Sequence, residues 1–189
     1  MHYASRVGII LVFVGSLLGQ STVVTRATGT FDIRSELSGK SWKRMTVHRF
    51  RASSLGAYFL VSDGPVCRQA VILHTDTTGR SVHLLVLPAA MEALDFDIDD
   101  HGTVYALAGE ATPAGYVTSL LQYDSTGTLQ STLPTARFAN RVCVVQGKAV
   151  AMLPDQANAA LEIHVPDGSV LAPVSLGRGH TNAAMVSLP

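Results

Sequence analysis

Phe96-Asp97-Ile98-Asp99-Asp100-His101-Gly102-Thr103-Val104-Tyr105-Ala106-Leu107 packs an apolar run, a polar reversal and a second apolar run into twelve residues. Aspartate caps a tight bend through its side chain, and glycine supplies the positive φ that a close reversal needs. The stretch therefore reads as a hairpin: strand Leu94–Ile98, turn Asp99–Gly102, strand Thr103–Ala108. Beyond a loop over Gly109–Gly115, where Pro113 cannot donate to a ladder, Tyr116–Tyr123 gives a third strand. Asp124-Ser125-Thr126-Gly127 turns it into a fourth, Thr128–Leu133. Four antiparallel strands joined by short loops make one unit of sheet.

Weaker copies flank this unit. An inner hairpin signal reads Tyr58–Gly64 before it and Val142–Val150 after it. An outer signal reads His74-Thr75-Asp76-Thr77-Thr78-Gly79 before it and His164-Val165-Pro166-Asp167-Gly168 after it. The inner glycines Gly64, Gly102 and Gly147 stand 38 and 45 residues apart, and the outer ones Gly79, Gly127 and Gly168 stand 48 and 41 apart. Periods in this range mark stacked all-β units. Helical periodicity is nearly absent, while β-branched runs bounded by Gly, Asp, Ser, Thr and Pro recur throughout.

The run Phe96–Leu107 followed by Leu121–Leu129 resembles the blade repeat of NHL-type and related six-bladed β-propellers. In those families an apolar-Asp-x-x-Gly-x-apolar-Tyr strand pair precedes an aromatic-Asp-x-x-Gly hairpin. The resemblance covers residues 45–189, about three blades. It implies an all-β fold of four-stranded antiparallel blades, incomplete against a ring of four to eight, with Thr181–Pro189 as the first strand of a further blade. A β-sandwich is the alternative arrangement of such strands. An open set of blades leaves strands such as Val142–Val145 uncovered, which favours self-association through the blade edges.

Ahead of the repeats lies a leader. Arg6 precedes an apolar run, Val7–Leu18, and Gly19-Gln20-Ser21 offers small residues for cleavage; residues 1–21 read as a signal peptide. The run is short of the roughly 20 residues that span a bilayer. The expected location is secreted or periplasmic, with an uncleaved, membrane-tethering anchor as the alternative. Residues 22–44 form an N-terminal linker or edge strand. Hydrophobic residues make up 47% of the chain and aromatic ones only 6%, so the core rests on Val, Leu, Ala and Ile.

The formal net charge is zero, yet residues 1–90 hold ten Lys or Arg against four acids and residues 91–189 the reverse, four against ten. The basic stretch Lys40–Arg51, interleaved with Trp42, Met45, Val47 and Phe50, reads as an outer strand with alternate side chains solvated. No nucleic acid is expected as partner of an exported chain.

Chemical motifs are sparse. Asp97, Asp99 and Gly102 echo the opening of a calcium loop, but His101 replaces an oxygen ligand and Ala108 stands where a bidentate glutamate belongs. His74, His83, His101, His164 and His180 have no metal-ligand spacing and are read as lying on different units. There is no Gly-x-Ser-x-Gly elbow and no phosphate loop. No catalytic residue, metal or cofactor is expected. Gly177–Thr181 is an inter-unit connector whose Arg178 and His180 are the candidate ligand-binding residues for an anionic group. Cys67 and Cys143 read as buried small hydrophobes, with a disulfide as the alternative in an oxidising compartment. The expected function is an exported binding or scaffold module for a protein, peptide or glycan. Its alternative is a fragment of a propeller lyase or hydrolase with histidines at the channel mouth.

Overall fold

In a computed structural model of the chain, residues 44–153, 159–164 and 169–177 are described; they belong to the compact unit 42–189. Among them there is no helix. The leader and the candidates Arg178 and His180 lie outside the described residues. Among the described residues, twelve strands form three four-stranded antiparallel sheets. Sheet 1 holds β1 (Met45–Ser53), β2 (Gly56–Asp63), β3 (Val71–Thr75) and β4 (Ser81–Val86). Sheet 2 holds β5 (Glu92–Ile98), β6 (Val104–Thr112), β7 (Gly115–Tyr123) and β8 (Leu129–Pro134). Sheet 3 holds β9 (Arg141–Val145), β10 (Lys148–Leu153), β11 (Ala159–His164) and β12 (Val170–Gly177). Each is a simple meander in chain order.

The middle unit follows its sequence pattern closely. One difference is the span Gly109–Gly115, expected as a loop. The β6–β7 ladder runs on through Gly109↔Thr118 to Thr112↔Gly115, leaving Pro113 in a tight turn where no ladder bond is needed.

Sheet 1 corrects the reading of the first unit. Tyr58–Asp63 belongs to the second strand, so Gly64 follows the end of β2 on the way to β3 and is not part of the first hairpin. The equivalent turn is Ser53–Gly56, which carries no aspartate. With Gly56 in place of Gly64, the inner glycines stand 46 and 45 residues apart, and the repeat becomes even.

Three turns share one device. Asp76, Asp99 and Asp124 each accept, through Oδ1, the backbone N–H groups two and four residues on. The glycine at the fourth position takes φ of 82° to 84°, the left-handed region where a side chain is strained.

Period-2 alternation on β6 and β7 fills two seams. Val104, Ala106, Ala108, Leu121 and Tyr123 pack with Tyr58, Leu60, Ile72 and Leu85 of sheet 1. Tyr105, Leu107 and Leu120 pack with Val142, Val144, Ala149 and Ala151 of sheet 3. Sheet 2 is thus covered on both faces. Val142 and Val144, expected at an uncovered edge, are buried in the second seam; of that strand only Arg141 and Val145 are exposed. Tyr123 closes the first seam by donating its hydroxyl to the carbonyl of Val86 at 3.2 Å, and burial pushes that phenol up to about 12.

Candidate functional site

The first strands of the three sheets lie side by side and run the same way, which follows from their polar contacts. Arg49 and Arg51 of β1 reach Asp95 and Asp97 of β5, and these two carboxylates reach the backbone of Val142 and Val144 on β9. Arg49 Nε lies 3.4 Å from Asp95 Oδ1, Arg51 Nη2 3.3 Å from the same oxygen, and Arg51 Nε 3.4 Å from Asp97 Oδ1. The second oxygen of each carboxylate faces sheet 3: Val142 N–H donates to Asp95 Oδ2 at 3.3 Å and Val144 N–H to Asp97 Oδ2 at 2.8 Å.

The backbone prepares this alignment. Both β1 and β5 carry an irregularity just before the paired residues, at His48 and at Leu94, and such a bulge re-aims the side chains that follow. The arginines are about one-third exposed while the Asp95 side chain is 1% exposed. The positive heads thus stay at the water boundary and the carboxylates are sunk beneath them. Desolvation holds the Asp97 carboxyl above its ordinary value, opposed by the Val144 N–H and Arg51. Arg51 also lies over the Phe96 ring at 5.7 Å.

Arg49 and Arg51, expected among the solvated side chains of an outer strand, pair with buried carboxylates, and Asp97 and Asp99 stand together in the calcium-loop-like opening. The structure gives these acids separate tasks: Asp97 clamps sheet 3, whereas Asp99 caps its own turn. Among the described residues no group of three metal-ligating side chains forms. Cys67 and Cys143 are buried thiols, each pushed up to about 11 by desolvation.

The histidines do not gather at one mouth among the described residues. His74 and His83, read as lying on different units, face each other across β3 and β4. His101 sits exposed in its turn. His164 is buried on β11 beside Glu162, Nε2 to Oε1 2.7 Å, and Glu162 Oε2 accepts the N–H of Ala136. Burial lowers the His164 value, while the Glu162 carboxylate pulls it back up.

The end of the domain that carries the β2–β3, β4–β5, β6–β7 and β8–β9 connections presents an aromatic pair that sequence patterns did not single out. Tyr116 of β7 lies against Gly109 of β6, where a Cβ would come within 2.5 Å of the phenol ring. Phe138 meets Tyr116 edge-on, ring centroids 5.9 Å apart. The two rings are 42% and 43% exposed, and Val66 of the β2–β3 connection is exposed as well. Glu92 and Arg68, joined by a backbone bridge, supply the charges that act on the Tyr116 phenol. A rigid aromatic surface with few rotatable bonds is what a contact site needs to limit its entropic cost. Gly109 was expected in a loop, so the close approach that a glycine inside a strand marks became visible only once β6 was seen to run through it.

No family model and no curated protein matches the chain. Among solved structures, a protein of unknown function from Bacteroides caccae is similar over 70% of this chain, at 17% identity and a TM-score of 0.45. The chain spans 47% of that protein's length.

Proposed function

We propose that the three sheets are consecutive blades of a β-propeller-like domain and that the chain is an exported binding module. Two features support the blade reading. The first strands run parallel, side by side, and the contacts between them recur at 46 and 47 residues. The sheets also stack through alternate faces of their strands, as blades do.

The binding reading rests on one observation: the exposed Tyr116–Phe138 pair, seated on Gly109 at the end where the inter-sheet connections emerge. Connections on a rigid scaffold are where such folds carry function. An exposed aromatic surface of this kind meets the apolar face of a peptide or a glycan. Arrays of peptides and glycans probed with the full chain test the reading. A ligand whose signal falls at least tenfold in both Tyr116→Ala and Phe138→Ala, with thermal unfolding kept, is the expected result. Binding that is indifferent to both substitutions overturns the assignment of this face.

A further inference from the structure

The seam between sheets 1 and 2 holds a ring stack that the proposed binding face does not use. Tyr58 of β2 stacks on His74 of β3, with centroids 4.0 Å apart and planes 6° from parallel. His74 in turn meets His83 of β4 at 4.8 Å, edge to face. Sheet 2 closes over the stack through its two turns. A Cβ on Gly102 would lie 3.7 Å from the Tyr58 hydroxyl, and one on Gly127 would lie 3.0 Å from His83 Cδ2.

The hydrogen bonding of the stack is incomplete. His74 Nε2 lies 3.3 Å from the carbonyl of Leu55. A carbonyl only accepts, so Nε2 carries the proton and Nδ1 is a bare lone pair. His74 Nδ1 and His83 Nε2 are both buried with no hydrogen-bond partner among the described residues. A second proton on His74 therefore has no acceptor to meet, and a proton on each ring puts two cations in one contact.

We propose that this stack is an acid-sensitive latch: protonation of His74 and His83 pushes the turns Asp99–Gly102 and Asp124–Gly127 off sheet 1, loosening the seam. Burial already holds both imidazoles below their ordinary value of 6.5. The charged groups that face them are carboxylates at the rim: Asp76 toward His74, Asp124 toward His83 and Asp99 toward the Tyr58 hydroxyl. Asp76 and Asp124 favour the imidazolium, but desolvation outweighs them while the seam is closed. Opening the seam frees each imidazolium to reach water and these carboxylates, so the open form gains what the closed form loses.

The sign follows from proton counts. Both groups are bases whose folded values lie below the unfolded one, so below pH 6.5 the unfolded chain binds more protons. The stability they contribute is complete above pH 6.5 and falls as the pH drops through that value toward the folded values. His48, against Ser62, and His164, against Glu162, are lowered too, so the test must separate them from the latch.

Urea unfolding of the full chain at pH 7.5 and 5.5 does so when compared with the double variant His74→Phe/His83→Phe, which keeps the rings and removes the titration. The unfolding constant of the parent chain should rise between the two pH values, by at most about tenfold per latch histidine, the ceiling set by the unfolded value of 6.5. The rise in the double variant should be smaller by the share that the two latch histidines contribute. Equal rises in both proteins overturn the proposal. If the double variant does not fold, imidazole NMR titration of the parent chain decides. His74 and His83 titrating below 6.5, with Gly102 and Gly127 resonances moving at the same midpoint, support the latch. Either ring titrating at or above 6.5, or turn resonances that stay still, overturn it.

Discussion

Replacing Asp97 by alanine removes the carboxylate that joins β5 to both neighbouring first strands. The Val144 N–H, buried in the second seam, loses its 2.8 Å acceptor; an orphaned buried amide costs about 1–3 kcal/mol. Arg51 loses one of two carboxylate partners, at 3.4 Å and partly in water, which adds about 0–1 kcal/mol. Against these stands relief of the desolvation that holds the Asp97 carboxyl above its ordinary value. The net expectation is about 2 kcal/mol of destabilisation, mainly from the amide. For a chain of this size that lowers Tm by about 4–8 °C. Asp97→Asn keeps an oxygen for the Val144 N–H and removes only the charge, so its cost should be no more than about half as large. Thermal unfolding followed by circular dichroism, with urea melts at one temperature, measures both. An alanine variant within about 0.5 kcal/mol of the parent, the range of featureless surface changes, refutes the clamp. So does an asparagine variant that costs as much as alanine.

Gly102→Val should destabilise by about 1–3 kcal/mol, because φ at this position is 83° and a β-branched residue is strained there. Its Cβ would also lie 3.0 Å from Leu55 Cδ1; an unchanged thermal melt contradicts the turn. Carboxyl carbon NMR should place Asp97 above 3.8 and both Asp76 and Asp124 below it, the first raised by burial and the others lowered first by threonine hydroxyl hydrogen bonds. With that order, Asp76 and Asp124 lose their stabilising effect as the pH falls through their folded values, whereas protonation of Asp97 on acidification favours the native state.

The strands of sheet 2 were legible because two of its three reversals carry their own chemistry, Asp99–Gly102 and Asp124–Gly127; the β6–β7 reversal has no such device, and there the strand ends were misplaced. Sheet 1 was read out of phase for the same reason. Its first turn, Ser53–Gly56, has no aspartate, and Asp63-Gly64 imitates one on the wrong side of β2. The clamp was not legible. Arg49, Asp95 and Val142 are spaced by whole repeats, and no local pattern shows that their strands lie side by side. The histidine pair was missed although its turn was read correctly, because the two residues were assigned to different units. His74 and His83 flank one outer turn and meet because that turn is a hairpin. The aromatic pair was hidden because Phe138 lies in a connection, where periodicity says nothing.

The arrangement of the three first strands is tested most directly by amide hydrogen exchange on β9. This strand is the first of sheet 3 and, among the described residues, is paired in the ladder with β10 alone. Without another acceptor, the N–H groups on its outer side would exchange with solvent freely. The carboxylates of Asp95 and Asp97 supply that acceptor to Val142 and Val144. Slow exchange is expected at both amides, and faster exchange at Val144 in Asp97→Ala. Rapid exchange at Val142 and Val144 in the parent chain, while the β9–β10 ladder stays protected, would contradict it.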